Sequence, residues 1–171
     1  MTNEGLSELF LKIDRMHEKD LLTVVDIELQ CGLNSRGVER YRIALSDPKD
    51  ILLVARLEND QVVGLFSATL VMDELQIDNL AVIPQWRGRK IASRLIMRAF
   101  ELAAQQGALN AFLEVRAANR TAIIFYRNKG FSILGTRMGY YQNPPDDALM
   151  MTCQVGKRPE EVLAKKKIND L

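Results

Sequence analysis

Asn79-Leu-Ala-Val-Ile-Pro-Gln-Trp-Arg-Gly-Arg-Lys-Ile-Ala92 decides the fold: an apolar strand runs through a turn into the start of a basic helix. A helix start leaves about four backbone N–H groups without partners and carries roughly half a positive charge. A turn holding Gly88 among Arg87, Arg89 and Lys90 therefore suits a diphosphate. The same letters also fit a basic, solvated helix face after an ordinary strand. Within the strand the apolar phase changes, Leu75 and Ile77 on one face and Leu80 and Val82 on the other. That pattern predicts a β-bulge near Asp78-Asn79, a feature that frees backbone groups.

Downstream of this stretch, a helix is expected from about Gly88 to Gln106, ended by Gly107, with Ile91, Leu95, Ile96, Ala99, Leu102 and Ala103 as its buried stripe. Lys90, Arg94, Glu101 and Gln105 lie outside the stripe. A strand at Ala111–Arg116 follows at crossover distance and should run parallel to the strand before the helix. Asn119 then caps a helix to Lys129, ended by Gly130, and strands Phe131–Met138 and Asp147–Val155 close the chain around a Tyr140–Pro145 loop. Upstream, a strand is expected at Leu9–Ile13. A helix capped by Asp20 should bury Leu21, Val24, Val25 and Leu29 up to Gly32, and a short one capped by Ser35 should span Gly37–Leu45. Ile51–Leu57 and Gln61–Met72 read as strands joined by a Glu58-Asn-Asp60 hairpin turn, so three antiparallel strands come in succession.

With 171 residues, 47% hydrophobic and 26% charged, the chain suits one domain over residues 1–155 and a polar, Lys-rich tail over 156–171. A net charge of +1 argues against direct nucleic-acid binding, which draws on an excess of Lys and Arg. Cys31 and Cys153 lack CxxC spacing, so reduced thiols and a cytoplasmic setting are expected rather than a disulfide framework or zinc site. Neither an export signal nor a run of about 18 apolar residues occurs, so no membrane association is expected.

Glu114 alternates with Leu113 and Val115, so its carboxylate leaves the sheet on the opposite face from theirs, a place for a general base or for a solvated or ion-paired group. Asn119 and Tyr126 stand seven residues apart, almost two helical turns, and share a face. Both can meet one extended ligand, or serve as a cap and a core aromatic. His17 is the single histidine, which excludes most triads and metal clusters, and no GxGxxG or GxxxxGK[ST] occurs.

Taken in order, Asn79-Leu-Ala-Val-Ile-Pro, Arg87-Gly-Arg-Lys-Ile-Ala92, Leu113-Glu-Val-Arg116, Asn119, Ile124-Phe-Tyr-Arg-Asn-Lys-Gly-Phe131 and Gly139-Tyr-Tyr141 with Asp147-Ala148 and Met150 resemble the GNAT acyltransferase superfamily. Within it they are most similar to the RimI-like alanine N-acetyltransferases that modify the N-terminus of a small-subunit ribosomal protein. The resemblance covers residues 8 to 155. It implies an α/β GNAT fold, a mixed, mostly antiparallel seven-stranded sheet flanked by about four helices. It also implies acetyl-CoA as donor, with its diphosphate held by Arg87, Gly88, Arg89, Lys90, Ile91 and Ala92. Backbone of Leu80, Ala81 and Val82 would serve the acyl arm, with Asn119 further along. Glu114 matches the proton acceptor and Tyr126 the proton donor to the departing thiolate. Tyr140 and Tyr141 would wall the acceptor peptide's path. No metal is implied, and the partner would be a protein N-terminus, possibly of a ribosomal protein, with the enzyme a monomer or weak dimer.

The sequence departs from the family pattern at two places. Lys90 occupies the fourth position of the Gln/Arg-x-x-Gly-x-Gly/Ala signature, where glycine is usual; a helical residue there keeps φ negative, which lysine tolerates. The loop Cys31–Arg36, which lines the acceptor site in the superfamily, has no Pro-Trp-Ser-like sequence. Chemistry favours an α-amine acceptor: with a pKa of roughly 8 it costs on the order of 1 kcal/mol to deprotonate near neutrality, against nearly 5 for a lysine at about 10.4. A small-molecule amine acceptor and a non-catalytic CoA-binding sensor are the alternatives.

Overall fold

The computed structural model describes residues 11–156. Leu9 and Phe10 of the expected first strand, and the tail beyond Gly156, lie outside the described residues. The strands are β1 (Lys12–Arg15), β2 (Asp50–Arg56), β3 (Val62–Val71), β4 (Glu74–Val82), β5 (Asn110–Arg116), β6 (Ser132–Gln142) and β7 (Pro145–Gln154). Four α-helices lie among the described residues: α1 (Leu21–Gln30), α2 (Val38–Ala44), α3 (Ile91–Gln105) and α4 (Arg120–Asn128). The sheet runs β1-β2-β3-β4-β5-β7-β6. β4 and β5 pair in parallel, Glu74 with Asn110 through Ile77 with Leu113, because the long α3 connection carries the chain back to the starting end of the sheet. β1 with β2, β2 with β3, β5 with β7 and β6 with β7 are antiparallel. This is the expected α/β GNAT architecture, a mixed and mostly antiparallel seven-stranded sheet.

Several local expectations are corrected. β1 ends at Arg15, two residues later than expected. Asp20 stands at the N-cap of α1 but does not cap it; its carboxylate accepts the His17 N–H at 2.9 Å and pairs with buried Arg56 at 2.8 Å. Leu29, expected inside, is 63% exposed, and the inward slot goes to Glu28, which follows Leu21, Val24 and Ile27 at helical spacing. Ser35 does not cap α2: its hydroxyl accepts the Gly37 N–H at 3.1 Å and the helix starts at Val38.

Burial along β4 alternates without a slip through Leu75, Ile77, Asn79 and Ala81. The phase change seen in hydropathy comes from Asn79, a polar side chain at an inward position. α3 begins at Ile91, three residues later than expected, after a 3₁₀ turn at Pro84–Trp86. The delay has a backbone cause: Lys90 has φ +59°, a left-handed conformation, so the expected negative φ there is wrong. The predicted stripe holds, with Ile91, Leu95, Ile96, Ala99 and Ala103 buried. Gly107 at φ +90° ends the helix, and the Ala108 N–H closes back on the Ala103 carbonyl at 3.0 Å. Tyr140 and Tyr141 lie in β6 rather than in a loop, since pairing continues through Tyr141 with Asp146 and Gln142 with Pro145.

The described residues fall into two compact units, 11–70 with Asp78–Leu102, and Val71–Ile77 with 103–156. The first has a core of Met16, Leu21, Val24, Ile27, Tyr41, Leu52, Val54, Val62, Leu65 and Ala81. In the second, Ala111, Leu113, Val115, Tyr126, Phe131, Ala148 and Met151 are buried. Among the described residues no helix is long and apolar enough to cross a membrane.

Candidate functional site

In the first unit, β4 delivers the chain through Pro84–Trp86 and the Arg87–Lys90 bend to the start of α3. The first α3 amide with a helical acceptor is that of Arg94, which reaches the Lys90 carbonyl at 3.0 Å. Helix geometry therefore leaves the Ile91, Ala92 and Ser93 amides without intrahelical partners. The turn and the helix start line a pocket of about 300 Å³, formed by Trp86, Gly88, Arg89, Lys90, Ile91 and Arg94, with Leu11. Three cations and no acid line it. Arg89 lies over the Trp86 ring, 4.7 Å from its centroid, which aligns one of those cations. Gly88 sits at φ +77°, with no atom within 4 Å of the place a Cβ would occupy.

Arg87 is placed differently. Its Nε donates to the Val82 carbonyl at 2.9 Å and its terminal nitrogen lies 3.6 Å from Cys31 Sγ, while the Cys31 thiol reaches the same carbonyl at 3.7 Å. Arg87 thus braces the end of β4, and the Val82 carbonyl already has protein donors. A left-handed lysine costs on the order of 1 kcal/mol against a glycine. Lys90→Gly is expected to raise the melting temperature by a few degrees, about 1 kcal/mol in a chain of this size. If the Lys90 ammonium serves an anion, the same variant binds acetyl-CoA more weakly, most clearly at low salt. Calorimetry at two salt concentrations checks this, and tighter binding would show instead that the lysine crowds the pocket.

The loop between α1 and α2 is fastened to β4 by a group that sequence reasoning missed. Glu28 is fully buried and accepts three hydrogen bonds, from the Tyr41 hydroxyl, from Asn79 Nδ2 at 2.7 Å and from the Arg36 N–H at 3.2 Å. Asn79 Nδ2 also donates to the Asn34 carbonyl at 3.1 Å. Burial, then the bond to the Glu28 carboxylate, pushes the Tyr41 phenol well up, so it stays a donor. The Arg36 guanidinium reaches Asp78 at 3.0 Å and Asp50 at 3.7 Å and stands over the Tyr41 ring. Burial pushes the Asp78 carboxyl up, against the pull of Arg36.

In the second unit, Glu114 leaves β5 opposite buried Leu113 and Val115, as alternation requires. Its carboxylate pairs with Arg137 at 2.8 Å. Its proximity is the main reason the Tyr140 phenol is raised. Tyr140 stacks edge-on against Tyr141, centroids 5.2 Å apart, and Arg116 lies over the Tyr141 ring at 4.1 Å. Glu114, Tyr140 and Tyr141 are thus brought together, with Arg137 as a partner that the spacing of the sequence does not disclose. Asn119 caps α4, its Oδ1 accepting the Ala122 N–H at 3.1 Å. Tyr126 is buried edge-on between Phe125 and Phe131, at 5.3 and 5.4 Å. Burial pushes its phenol well up. Among the described residues the Tyr126 hydroxyl has no hydrogen-bond partner.

Residues 21–131 match the model of the Acetyltransferase (GNAT) family. A Bacillus subtilis (strain 168) protein assigned as a ribosomal protein bS18-alanine N-acetyltransferase is 35% identical over 112 residues, 65% of this chain and 73% of the relative. The ribosomal protein bS18-alanine N-acetyltransferase of Haemophilus influenzae is 29% identical over 100 residues, 57% of this chain and 68% of its own. The crystal structure of the ribosomal-protein-S18-alanine N-acetyltransferase from Escherichia coli superposes with a TM-score of 0.76 over 86% of this chain and 95% of its own, and at 21% identity that likeness shows the fold. The chain belongs to the Acetyltransferase (GNAT) family and is an acetyl-CoA-dependent N-acetyltransferase.

Proposed function

We propose that the acceptor is the N-terminal α-amine of a protein, with a ribosomal-protein alanine as the favoured type, and that residues 1–155 act as one catalytic domain in the cytoplasm. Two relatives named for bS18-alanine acetylation support the acceptor. The carrying observation for the chemistry is Tyr126: a buried ring whose hydroxyl is kept protonated by burial and has no hydrogen-bond partner among the described residues. That is the state a proton donor needs before it meets the departing sulfur. Acetyl-CoA supplies the acetyl thioester. The diphosphate is assigned to Gly88, Arg89, Lys90, Ile91 and Ala92, with Arg87 bracing the turn, the acyl arm to the backbone of Leu80, Ala81 and Val82, and a further contact to Asn119.

In this reading the neutral amine's lone pair attacks the thioester carbonyl carbon, a C–N bond forms and the C–S bond breaks. Glu114 takes the amine proton, through water, and Tyr126 gives its proton to the sulfur. The ion pair Glu114 makes with Arg137 holds its carboxylate in place, and Tyr140 and Tyr141 wall the acceptor's path. The acceptor reading is tested by CoA-thiol release with an alanine-initiated hexapeptide and with spermidine. The hexapeptide should give the higher kcat/KM by about tenfold or more, and the reverse order would move the enzyme to small amines.

The assignment of the diphosphate has its own test. Gly88→Glu adds a carboxylate beside the pocket and forces a side chain onto a left-handed backbone. It should weaken acetyl-CoA binding by at least about tenfold, roughly 1.4 kcal/mol. Unchanged affinity by calorimetry would take the turn out of the site.

A further inference from the structure

Glu28 is a fully buried carboxylate to which the mechanism above gives no part. A carboxylate offers only acceptors, and here it meets only donors: Tyr41 of α2 and Asn79 of β4 on Oε1, and the backbone N–H of Arg36 on Oε2. One acid thereby joins α1, α2, β4 and the loop between the helices. Its place along β4 matters. β4 runs from Glu74 through Val82 toward the Arg87–Ala92 turn, so an acyl arm that starts at the turn and passes Val82 and Leu80 has its reacting end toward Asp78-Asn79. At those two residues the loop is fastened, Asn34 by its carbonyl to Asn79 and Arg36 by its guanidinium to Asp78.

We propose that Glu28 is a positioning residue for acceptor recognition: it fixes Asn34–Arg36 against β4 as the acceptor-side wall of the site, and acts through Arg36. The inference rests on the placement of the acyl arm along β4 proposed above. The chemistry of the carboxylate singles out a selective variant. In Glu28→Gln one oxygen remains to accept from Tyr41 and Asn79, while the new NH₂ faces the Arg36 N–H, whose bond at 3.2 Å is longer than the 2.7 Å to Asn79. Donor then meets donor at the Arg36 backbone, so the loop loses the bond that sets Arg36 while Asn34 stays held to Asn79 and the Arg36 guanidinium to Asp78.

The test measures acceptor KM, kcat and acetyl-CoA affinity for Glu28→Gln, Arg36→Ala and the double variant, with an alanine-initiated hexapeptide as acceptor. Each single variant should raise acceptor KM by about tenfold while acetyl-CoA affinity stays within about threefold. The double variant should be no worse than either single, because both act through one element. An unchanged acceptor KM in Glu28→Gln, or effects that add in the double variant, overturns the proposal. So does a parallel loss of acceptor binding, cofactor binding and folded fraction by circular dichroism, which would mark Glu28 as purely structural. Failure of the underlying placement shows elsewhere, as unchanged acetyl-CoA affinity in Gly88→Glu.

Discussion

Glu114→Gln is expected to lower kcat by about 10²- to 10⁴-fold at neutral pH, with acetyl-CoA affinity within a few fold of the parent. The substitution keeps the shape of the side chain and its place on β5 opposite Leu113 and Val115 but removes the group assigned to take the amine proton. It also replaces the charge that faces Arg137 at 2.8 Å. That pair lies at the surface, Arg137 being 51% exposed, so its loss should cost little stability. The pH dependence separates the two roles. An α-amine with a pKa of roughly 8 loses its proton to solvent as pH rises, so the variant should recover part of its rate between about pH 7 and 9. A defect of the same size at every pH would make Glu114 an anchor for Arg137 rather than a base.

Tyr126→Phe should reduce kcat by a similar factor, about 10²- to 10⁴-fold, because the ring packing survives and only the hydroxyl is lost. Phe125 and Phe131 would still enclose the ring. No hydrogen bond within the protein is broken among the described residues, so the melting temperature should hold or rise slightly. Burial raises the phenol above its ordinary value near 10, which favours the protonated form, so the parent's kcat/KM should show no fall from Tyr126 below about pH 10. A variant that turns over at the parent rate would remove Tyr126 from proton transfer.

The strand, turn and basic helix around Asn79–Ala92 were legible because apolar period, Gly88 and Gly107 agreed with one another. The parallel pairing of β4 and β5 followed from the length of the link, and the outward face of Glu114 from strand alternation. The errors share a cause, since hydropathy treats a polar letter as an outside letter. Glu28 and Asn79 are polar residues at inward positions that satisfy each other, so hydropathy alone puts Leu29 inside α1 and a slip in β4. Their bond spans 51 positions, a distance over which a single sequence carries no signal. The start of α3 was misplaced because a left-handed Lys90 has no local signature; glycine at that position would have announced it. Gly139 and the prolines at 144 and 145 make the letters around Tyr140 and Tyr141 look like a loop. A register shift between Arg137 and Tyr141 instead lets β6 continue past Gly139.

The acceptor claim is tested most directly by locating the product. A hexapeptide with a free N-terminal alanine and one internal lysine would be incubated with the protein and acetyl-CoA, and the product sequenced by fragmentation mass spectrometry. The account predicts acetyl on the α-nitrogen and an unmodified lysine, whose deprotonation costs roughly 3 kcal/mol more near neutral pH. Acetyl on the lysine side chain, with the α-amine left free, would contradict it.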